Sequence, residues 1–476
     1  MTSVVLTSVG ERKGTPRIWV EGIKLALGGF KIGVNYEVRE QSKGKIVLAR
    51  SRAGGRVVSI RKKNGKEYPI IDLNNLSLAD CFELGQKLRL VIRRGVVVIR
   101  AHAQAGKVAD RVTRLLKKLR ENQALETGSL FHGGGILDSA LHSGFASAGS
   151  NSFVKLAVER NREFLDYSLD VNRHMFTGES IFIEAPIQDL TVDGAPQLDI
   201  LCAGIPCTGA SSSGKAKNGI KHAEEHVEAG SMFYYFVRWV EATNPAICII
   251  ENVPNYQSTA SMAAIRAVLT SMGYSLQERI LEGNEFGALE ARKRLCVVAV
   301  SNGLEDVFDL EAVTPLRQKP ATVGELMEDI APDSERWAAM TYLADKEKSD
   351  KAAGKGFRRQ LYDGTESSIN TITADYMKRR STDPMIKHPT DPDLCRLATC
   401  LEHARFKGIP EHMAEQKPGA PAPTNLHKIF GQSVIYPVFE AVGFHLAKAF
   451  QAYAANDAVY ESAGKFAERT TYVLAA

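Results

Sequence analysis

Two stretches of this chain are too apolar to be anything but buried strands, and each ends in a residue capable of chemistry. Leu198-Asp199-Ile200-Leu201-Cys202-Ala203-Gly204-Ile205 runs into Pro206-Cys207, and Ala246-Ile247-Cys248-Ile249-Ile250 runs into Glu251-Asn252-Val253. Short continuous apolar runs bounded by turn residues fit strands covered on both faces, as in a parallel sheet sandwiched by helices. Open sheets of that kind do their chemistry at the carboxyl edge. Cys207 and Glu251 are therefore expected to face one pocket, the first as a nucleophile and the second as a proton donor or acceptor. The loop after Cys207 has Gly209, Gly214 and Gly219 as hinges and Lys215 and Lys217 as phosphate partners, which suits closure over an anionic substrate.

A second signal lies upstream. In Leu130-Phe131-His132-Gly133-Gly134-Gly135 the glycines let the backbone approach a ligand closely, and Glu159, near the end of the next strand, can accept hydrogen bonds from ribose hydroxyls. Alone, this pattern would equally suit a dinucleotide. The Cys/Glu pair separates the two readings, because hydride transfer needs neither group.

From about Ser129 to the C-terminus the chain resembles the DNA (cytosine-5)-methyltransferase family. Phe131 to Gly135 looks like the family's glycine-rich cofactor loop, Ala157-Val158-Glu159 like the acidic end of its second strand, and Ile187-Gln188-Asp189-Leu190 like its third-strand acid. Pro206-Cys207 and Glu251-Asn252-Val253 match the two catalytic motifs. Arg292-Lys293-Arg294 is similar to the arginine motif, Arg396 to Pro410 to the segment that braces the recognition domain, and Gly431-Gln432-Ser433-Val434 to the last motif. The resemblance implies S-adenosylmethionine as cofactor, held by Phe131, Gly133, Gly135, Glu159, Asp189, Leu190, Gln432, Ser433 and Val434. It implies catalysis by Cys207 adding to the base, Glu251 at ring nitrogen 3, Arg294 at the base carbonyl, and Arg292 supporting the loop or a phosphate. Four positions depart from the family pattern: Ser129 replaces an acid, Thr208 and Glu290 each replace a Gln, and Gln432 replaces an Asn.

Charge divides the chain. Residues 1–126 hold 26 Lys/Arg against 11 Asp/Glu, and the remainder 34 against 44. A basic first segment points to an anionic partner, nucleic acid in the absence of any membrane signal. That segment alternates as short strands at Arg17–Val20, Asn35–Val38, Lys45–Leu48, Arg56–Ile60 and Leu88–Ile92. It also repeats itself. Phe30-Lys31-Ile32-Gly33, Tyr36-Glu37-Val38, Gly44 and Ile46-Val47-Leu48 align with Phe82-Glu83-Leu84-Gly85, Leu88-Arg89-Leu90, Gly95 and Val97-Val98-Ile99. Two such hairpins can pack as a pseudo-dimer; the pattern is similar to the AbrB/SymE-type swapped-hairpin module. A helix follows, with Val108, Val112, Leu115, Leu116 and Leu119 on one face and Arg111, Arg114, Lys117, Lys118 and Arg120 on the other.

The expected architecture is thus α/β. It comprises a basic β-rich module over 1–103, a basic linker helix over 104–128, a Rossmann-like methyltransferase domain built on a doubly wound parallel sheet over 129–301, a target-recognition region over 302–395, and a brace with a closing C-terminal helix over 396–476. No Cys/His spacing reads as a metal site, and the seven cysteines fit a reducing cytoplasm. The expected function is cytosine-5 methylation of double-stranded DNA by a monomer, in the cytoplasm or nucleoid of a bacterial or phage-infected cell, with a cognate restriction nuclease as partner. Two alternatives remain open: an enzyme acting on RNA cytosine or using a modified donor, and a DNA-binding regulator in which catalysis is secondary.

Overall fold

The computed structural model describes residues 1–52, 54–206, 222–226, 228–354, 356, 358–380, 382–417 and 419–457. The chain folds as two compact units, one of Met1–Lys117 with the residues from Ala454, the other of Lys118–Tyr453.

The first unit is built from β1 (Thr2–Ser8), β2 (Gly10–Arg12), β3 (Thr15–Glu21), α1 (Ile23–Leu27), β4 (Asn35–Ser42), β5 (Lys45–Arg50), β6 (Arg56–Val57), β7 (Ser59–Lys63), β8 (Lys66–Asn74), β9 (Lys87–Arg93) and β10 (Val96–Ala101). They form two sheets, ordered β1-β9-β10-β5-β4-β6 and β2-β3-β8-β7, around one core that includes Ile18, Phe30, Leu48, Ile71, Phe82 and Ile99. The repeat seen in the sequence is a structural repeat. Hairpins β4–β5 and β9–β10 meet through β5 and β10, with Val98 opposite Val47, and β3 meets β8 in the other sheet. Equivalent backbone bonds recur in each copy: Gly44 N–H to Cys81 O (2.9 Å) matches Gly95 N–H to Gly28 O (2.7 Å), and Gly33 N–H to Val58 O (3.0 Å) matches Gly85 N–H to Val9 O (2.8 Å). Each copy alone would leave its apolar face in water, and the partner copy covers it. One expected strand, Arg56–Ile60, is instead two: the chain turns at buried Val58, so β6 and β7 belong to different sheets.

The expected linker helix is α2 (Ala103–Arg120), and not all of its basic residues face solvent. Arg111 is 1% exposed. Lys118, where the second unit begins, places Nζ 2.7 Å from Asp199 and 3.2 Å from Glu126 and so ties the last turn of α2 to that unit's sheet.

That sheet contains β11 (Leu125–Leu130), β12 (Ser152–Glu159), β13 (Ile181–Glu184), β14 (Ile200–Gly204), β15 (Ile247–Asn252), β16 (Tyr274–Glu282) and β17 (Lys293–Ser301), in the order β13-β12-β11-β14-β15-β17-β16. Its first strand starts at Leu125, before the expected Ser129. Six strands run in one direction; β17 alone is reversed, antiparallel to both of its neighbours β15 and β16, a departure from a wholly parallel sheet. The link between β16 and β17, Gly283 to Arg292, is too short for a crossover helix and forces the reversal. Helices α3 (Ile136–Ser147), α4 (Arg162–Val171), α5 (Met232–Thr243) and α6 (Ala260–Ser271) connect the strands. Strand order reverses between β11 and β14, and that switch point opens a crevice at their carboxyl ends.

The region 302–395 carries a small sheet of β18 (Ala338–Ala339), β19 (Gln360–Tyr362), β20 (Pro384–Lys387) and β21 (Leu394–Arg396), with α7 (Thr341–Ala352) inserted after β18. The chain then forms α8 (Cys400–Phe406), α9 (Pro423–Gln432) and α10 (Tyr436–Ala454). α10 packs back on α3 at glycines. A Cβ on Gly144 would lie 2.1 Å from Glu440 O, and one on Gly443 would lie 2.6 Å from Leu141 O. Among the described residues no helix is long and apolar enough to cross a membrane.

The α3–α10 crossing makes a prediction. Gly144→Ala forces a methyl group against backbone that cannot move alone and should destabilise the protein by about 1–3 kcal/mol. Gly178→Ala, where a Cβ meets nothing within 4 Å, should be near neutral. Urea unfolding of both variants checks this.

Candidate functional site

The glycine loop begins where β11 ends. Phe131, Gly133 and Gly135 all take left-handed φ angles of 59°, 58° and 73°. The glycines are there for different reasons. A Cβ on Gly135 would lie 2.3 Å from Ser168 Oγ and one on Gly134 would lie 2.5 Å from Ile429, whereas one on Gly133 would meet nothing within 4 Å. The space above Gly133 is open. Glu159, at the end of β12, turns its carboxylate into this loop and accepts from Gly133 N–H (2.7 Å) and Asn161 N–H (2.8 Å). Asp189 is exposed in a 3₁₀ turn after β13 rather than on the strand itself, with half-buried Leu190 beside it packed on the core. The Ile429 contact brings α9 against the loop; Gln432 ends that helix exposed, Ser433 Oγ donates to Phe430 O (2.8 Å), and Val434 is buried.

A buried network braces this loop, and sequence reasoning missed most of it. Ser129 Oγ donates to Asp138 Oδ2 (2.7 Å), His132 Nδ1 lies 2.9 Å from Ser129 Oγ, and His132 Nε2 lies 2.8 Å from Ser168 Oγ. Ser129 stands where the family has an acid. Its partner Asp138 is an acid in the first turn of α3, where the helix dipole favours negative charge.

Across the crevice, β14 and β15 run side by side with Gly204 opposite Glu251. A Cβ on Gly204 would sit 3.6 Å from Glu251 Oε2, an ordinary contact, so the carboxylate lies directly beside the end of β14. Arg294, near the start of β17, places Nε 2.6 Å from Glu251 Oε1, with both side chains 12% exposed. Asn252 donates its side-chain amide to Ile205 O (3.1 Å) and accepts from Val253 N–H (2.9 Å). The chain leading through Pro206 is thereby held against the end of β15. Cys207 itself, with Thr208, Lys215, Lys217 and the rest of its loop to residue 221, lies outside the described residues. The cysteines that are described are all buried. Burial pushes the Cys202 thiol well above its ordinary range, Cys296 up to about 12 and Cys400 up to about 11, which suits packing and not attack.

Arg292 is 6% exposed and lies 3.8 Å from Glu290, which favours the first of its two expected roles, support of the loop, over contact with a phosphate. Glu290 is fully buried and also pairs with fully buried Lys407 at 3.2 Å. Burial and the neighbouring Arg292 guanidinium push the Lys407 ammonium down to about 7, against the pull of Glu290. The acid that replaces the family's Gln thus has a cation from the brace segment as its counterpart. Backbone bonds reinforce the joint: Leu289 and Glu290 N–H groups both donate to Phe406 O (3.1 and 3.0 Å), and Ala291 N–H donates to Ile369 O (2.9 Å). In the brace itself Arg396 grips Glu402 through two bonds of 2.6 and 2.7 Å, both residues being buried.

Removing one member of a buried pair strands the other charge, at a cost of about 3–5 kcal/mol. Glu290→Gln leaves Lys407 facing Arg292, and Lys407→Met leaves Glu290 with Arg292 still near. Glu290→Gln should therefore be the more destabilising, and Glu290→Gln with Lys407→Met should recover most of the loss. Equilibrium unfolding of the three variants tests the order.

Comparison with known proteins agrees with this geometry. The model of the C-5 cytosine-specific DNA methylase family matches residues 125–448. The Type II methyltransferase M1.ScrFI of Lactococcus lactis subsp. cremoris is 26% identical over 277 residues, 56% of this chain and 67% of that protein. M.NlaX of Neisseria lactamica is 30% identical over 273 residues, 56% of this chain and 81% of that protein. In fold, the S. pombe Dnmt2 methyltransferase is similar with a TM-score of 0.53 at 16% identity, over 67% of this chain and 96% of that one. The match to the family covers the seven-stranded sheet, the small sheet and the returning helices, and leaves the N-terminal unit outside it: the chain belongs to the C-5 cytosine-specific DNA methylase family.

Proposed function

We propose that this enzyme methylates carbon 5 of cytosine in double-stranded DNA through a covalent bond between Cys207 and the base. The observation that carries the reading is the pairing of β14 with β15. It puts the backbone entering Cys207, held by Asn252, beside the Glu251–Arg294 ion pair.

Carbon 5 of an intact cytosine ring is a poor nucleophile. In the proposed mechanism the Cys207 thiolate adds to carbon 6, forming a sulfur–carbon bond and moving ring electrons to carbon 5, while Glu251 manages a proton at nitrogen 3. Arg294 holds the Glu251 carboxylate through Nε while Nη1 donates to Lys293 O (2.7 Å), and Nη2 is assigned to the base carbonyl. Carbon 5 would then take the donor's methyl group, the sulfonium sulfur keeping the electron pair of the broken bond; a base removes the carbon 5 proton, the ring double bond re-forms, and the bond to Cys207 breaks with its electrons returning to the thiolate. S-adenosylmethionine, the donor for this family, supplies an electrophilic methyl group on a charged sulfur when bound. Phe131, Gly133, Gly135, Glu159, Asp189, Leu190, Gln432, Ser433 and Val434 are assigned to hold it; the open space over Gly133 and the Glu159 carboxylate beside it support that assignment. A stacked base cannot reach this crevice, so the target nucleotide must rotate out of the duplex. The Type II naming of the relatives supports a cognate nuclease as partner. The N-terminal unit, with 24 Lys/Arg against 9 Asp/Glu in residues 1–117, is assigned to hold the enzyme on DNA.

Labelled-methyl transfer to duplex DNA, hemimethylated DNA and RNA, with mapping of the modified atom, tests the reading. Label on carbon 5 of cytosine in duplex is expected, and a preference for RNA would overturn the substrate. Two variants separate the roles. Glu251→Gln should lower turnover by about 10²–10⁴ with cofactor affinity nearly unchanged. Glu159→Ala should weaken cofactor binding measured by calorimetry, and unchanged affinity would contradict its ribose role.

A further inference from the structure

The two copies in the N-terminal unit match in backbone and differ in charge. Each β-hairpin turn ends in a glycine with nearly the same φ, 76° at Gly44 and 77° at Gly95, bonded to the equivalent carbonyl of the other copy. Around Gly44 the charges are mixed. Lys45 pairs with Glu40 at 2.9 Å, Gln41 bonds Ser77 (2.7 Å), and Asp80 and Glu83 are close in sequence to Cys81, whose carbonyl receives Gly44.

Around Gly95 the charges have one sign. Arg93 and Arg94 form the turn, and Arg94 takes a left-handed φ of 47°, a position that favours Asn or Gly. The Arg50 side chain lies over the turn, its Cδ 2.9 Å from where a Cβ on Gly95 would sit and 3.3 Å from that of Gly29. Arg52 follows two residues later. Lys24 belongs to α1, whose end at Gly28 receives the Gly95 bond, and Lys31 lies just beyond. All six cations are exposed, and among the described residues none makes an ion pair. The segments that build this end, residues 22–36, 45–59 and 91–98, contain no Asp or Glu. Six exposed cations on segments that meet around one turn, with no acid in those segments, give this end of the unit a single sign of charge.

We propose that this end of the N-terminal unit is a docking surface for the phosphate backbone of duplex DNA, and that the equivalent Gly44 end is not. DNA is the partner of choice because the chain belongs to a DNA methylase family, so the proposal rests on that reading. Backbone contacts of this kind carry no sequence information; they hold the enzyme on the duplex while the second unit selects the base.

The test uses full-length protein and two sets of substitutions of equal charge. One set is Lys31→Gln, Arg52→Gln, Arg93→Gln and Arg94→Gln; the other is Arg61→Gln, Lys62→Gln, Lys63→Gln and Lys66→Gln on β7 and β8, where Arg61 and Lys62 are paired with Glu21 and Glu67. Affinity for a duplex oligonucleotide is measured by fluorescence anisotropy across a salt series, beside methyl transfer at saturating DNA. The first set should weaken binding more than tenfold at low salt and reduce the slope of log affinity against log salt by about 3–4, given roughly 0.9 per phosphate contact. The second should leave the slope near wild type, and neither should change transfer at saturating DNA. Equal loss from both sets would reduce the effect to net charge and overturn the docking surface, as would no loss from the first. Tighter wild-type binding to RNA than to DNA would overturn the choice of partner. Failure of the wild type to methylate any DNA would instead overturn the underlying reading. If the four-residue variant does not fold, Arg93→Gln with Arg94→Gln should reduce the slope by about half as much.

Discussion

A carboxylate that leaves water needs a cation close by, and the Glu251–Arg294 pair meets that need at the point where the sheet does its work. The two side chains come from adjacent antiparallel strands, so the 2.6 Å contact requires β15 and β17 in register. β15 in turn lies beside β14 in parallel, with Asn252 gripping Ile205 O. The route of the chain into Pro206 and the orientation of the acid are therefore consequences of one set of strand pairings. Coulomb attraction at this distance is worth several times more in a partly dry crevice than in water, which is why an exposed equivalent of this pair would orient little.

The same principle recurs where the region 302–395 and the brace join the seven-stranded sheet. Glu290 with Lys407, and Arg396 with Glu402, are buried pairs between segments distant in sequence or at a sharp turn. Such pairs add little net stability relative to apolar packing, but a slipped register would leave a bare charge. They bind the loop that leads into Arg294 to the brace and, through the Ala291 bond to Ile369, to the small-sheet region. On the cofactor side neutral and acidic groups do comparable work: Ser129, Asp138, His132 and Ser168 fix the turn from which Gly133 meets Glu159.

Much of this was legible in the sequence, for identifiable reasons. The apolar runs before Cys207 and Glu251 are strands because their length and uniform burial admit little else, and the internal repeat folds as a repeat because spacing and turn glycines survive in both copies. The failures are equally physical. Helical periodicity placed Arg111 and Lys118 on the face opposite the apolar one, but a periodic pattern cannot show that Asp199 waits to receive Lys118. The sequence left Arg292 with two roles, the loop or a phosphate, because the Glu290–Lys407 pair beside it joins residues far apart in the chain, which no local motif reveals. Asp138 and Ser168 were invisible for the same reason, although an Asp in the first turn after a glycine loop is a signal that was there to be weighed. The antiparallel β16–β17 edge followed from a short connection, a feature of chain length more than of residue type.

The central claim, covalent attack by the residue that follows Pro206, is tested most directly by a suicide substrate. Duplex DNA with 5-fluorocytosine in the target site blocks the final loss from carbon 5, so the enzyme with S-adenosylmethionine should become trapped in a complex that survives denaturing electrophoresis. Peptide mapping should place the adduct on Cys207, and Cys207→Ala should form none. An adduct of equal yield in Cys207→Ala, or methyl transfer by wild type without any trapped complex, would contradict the mechanism.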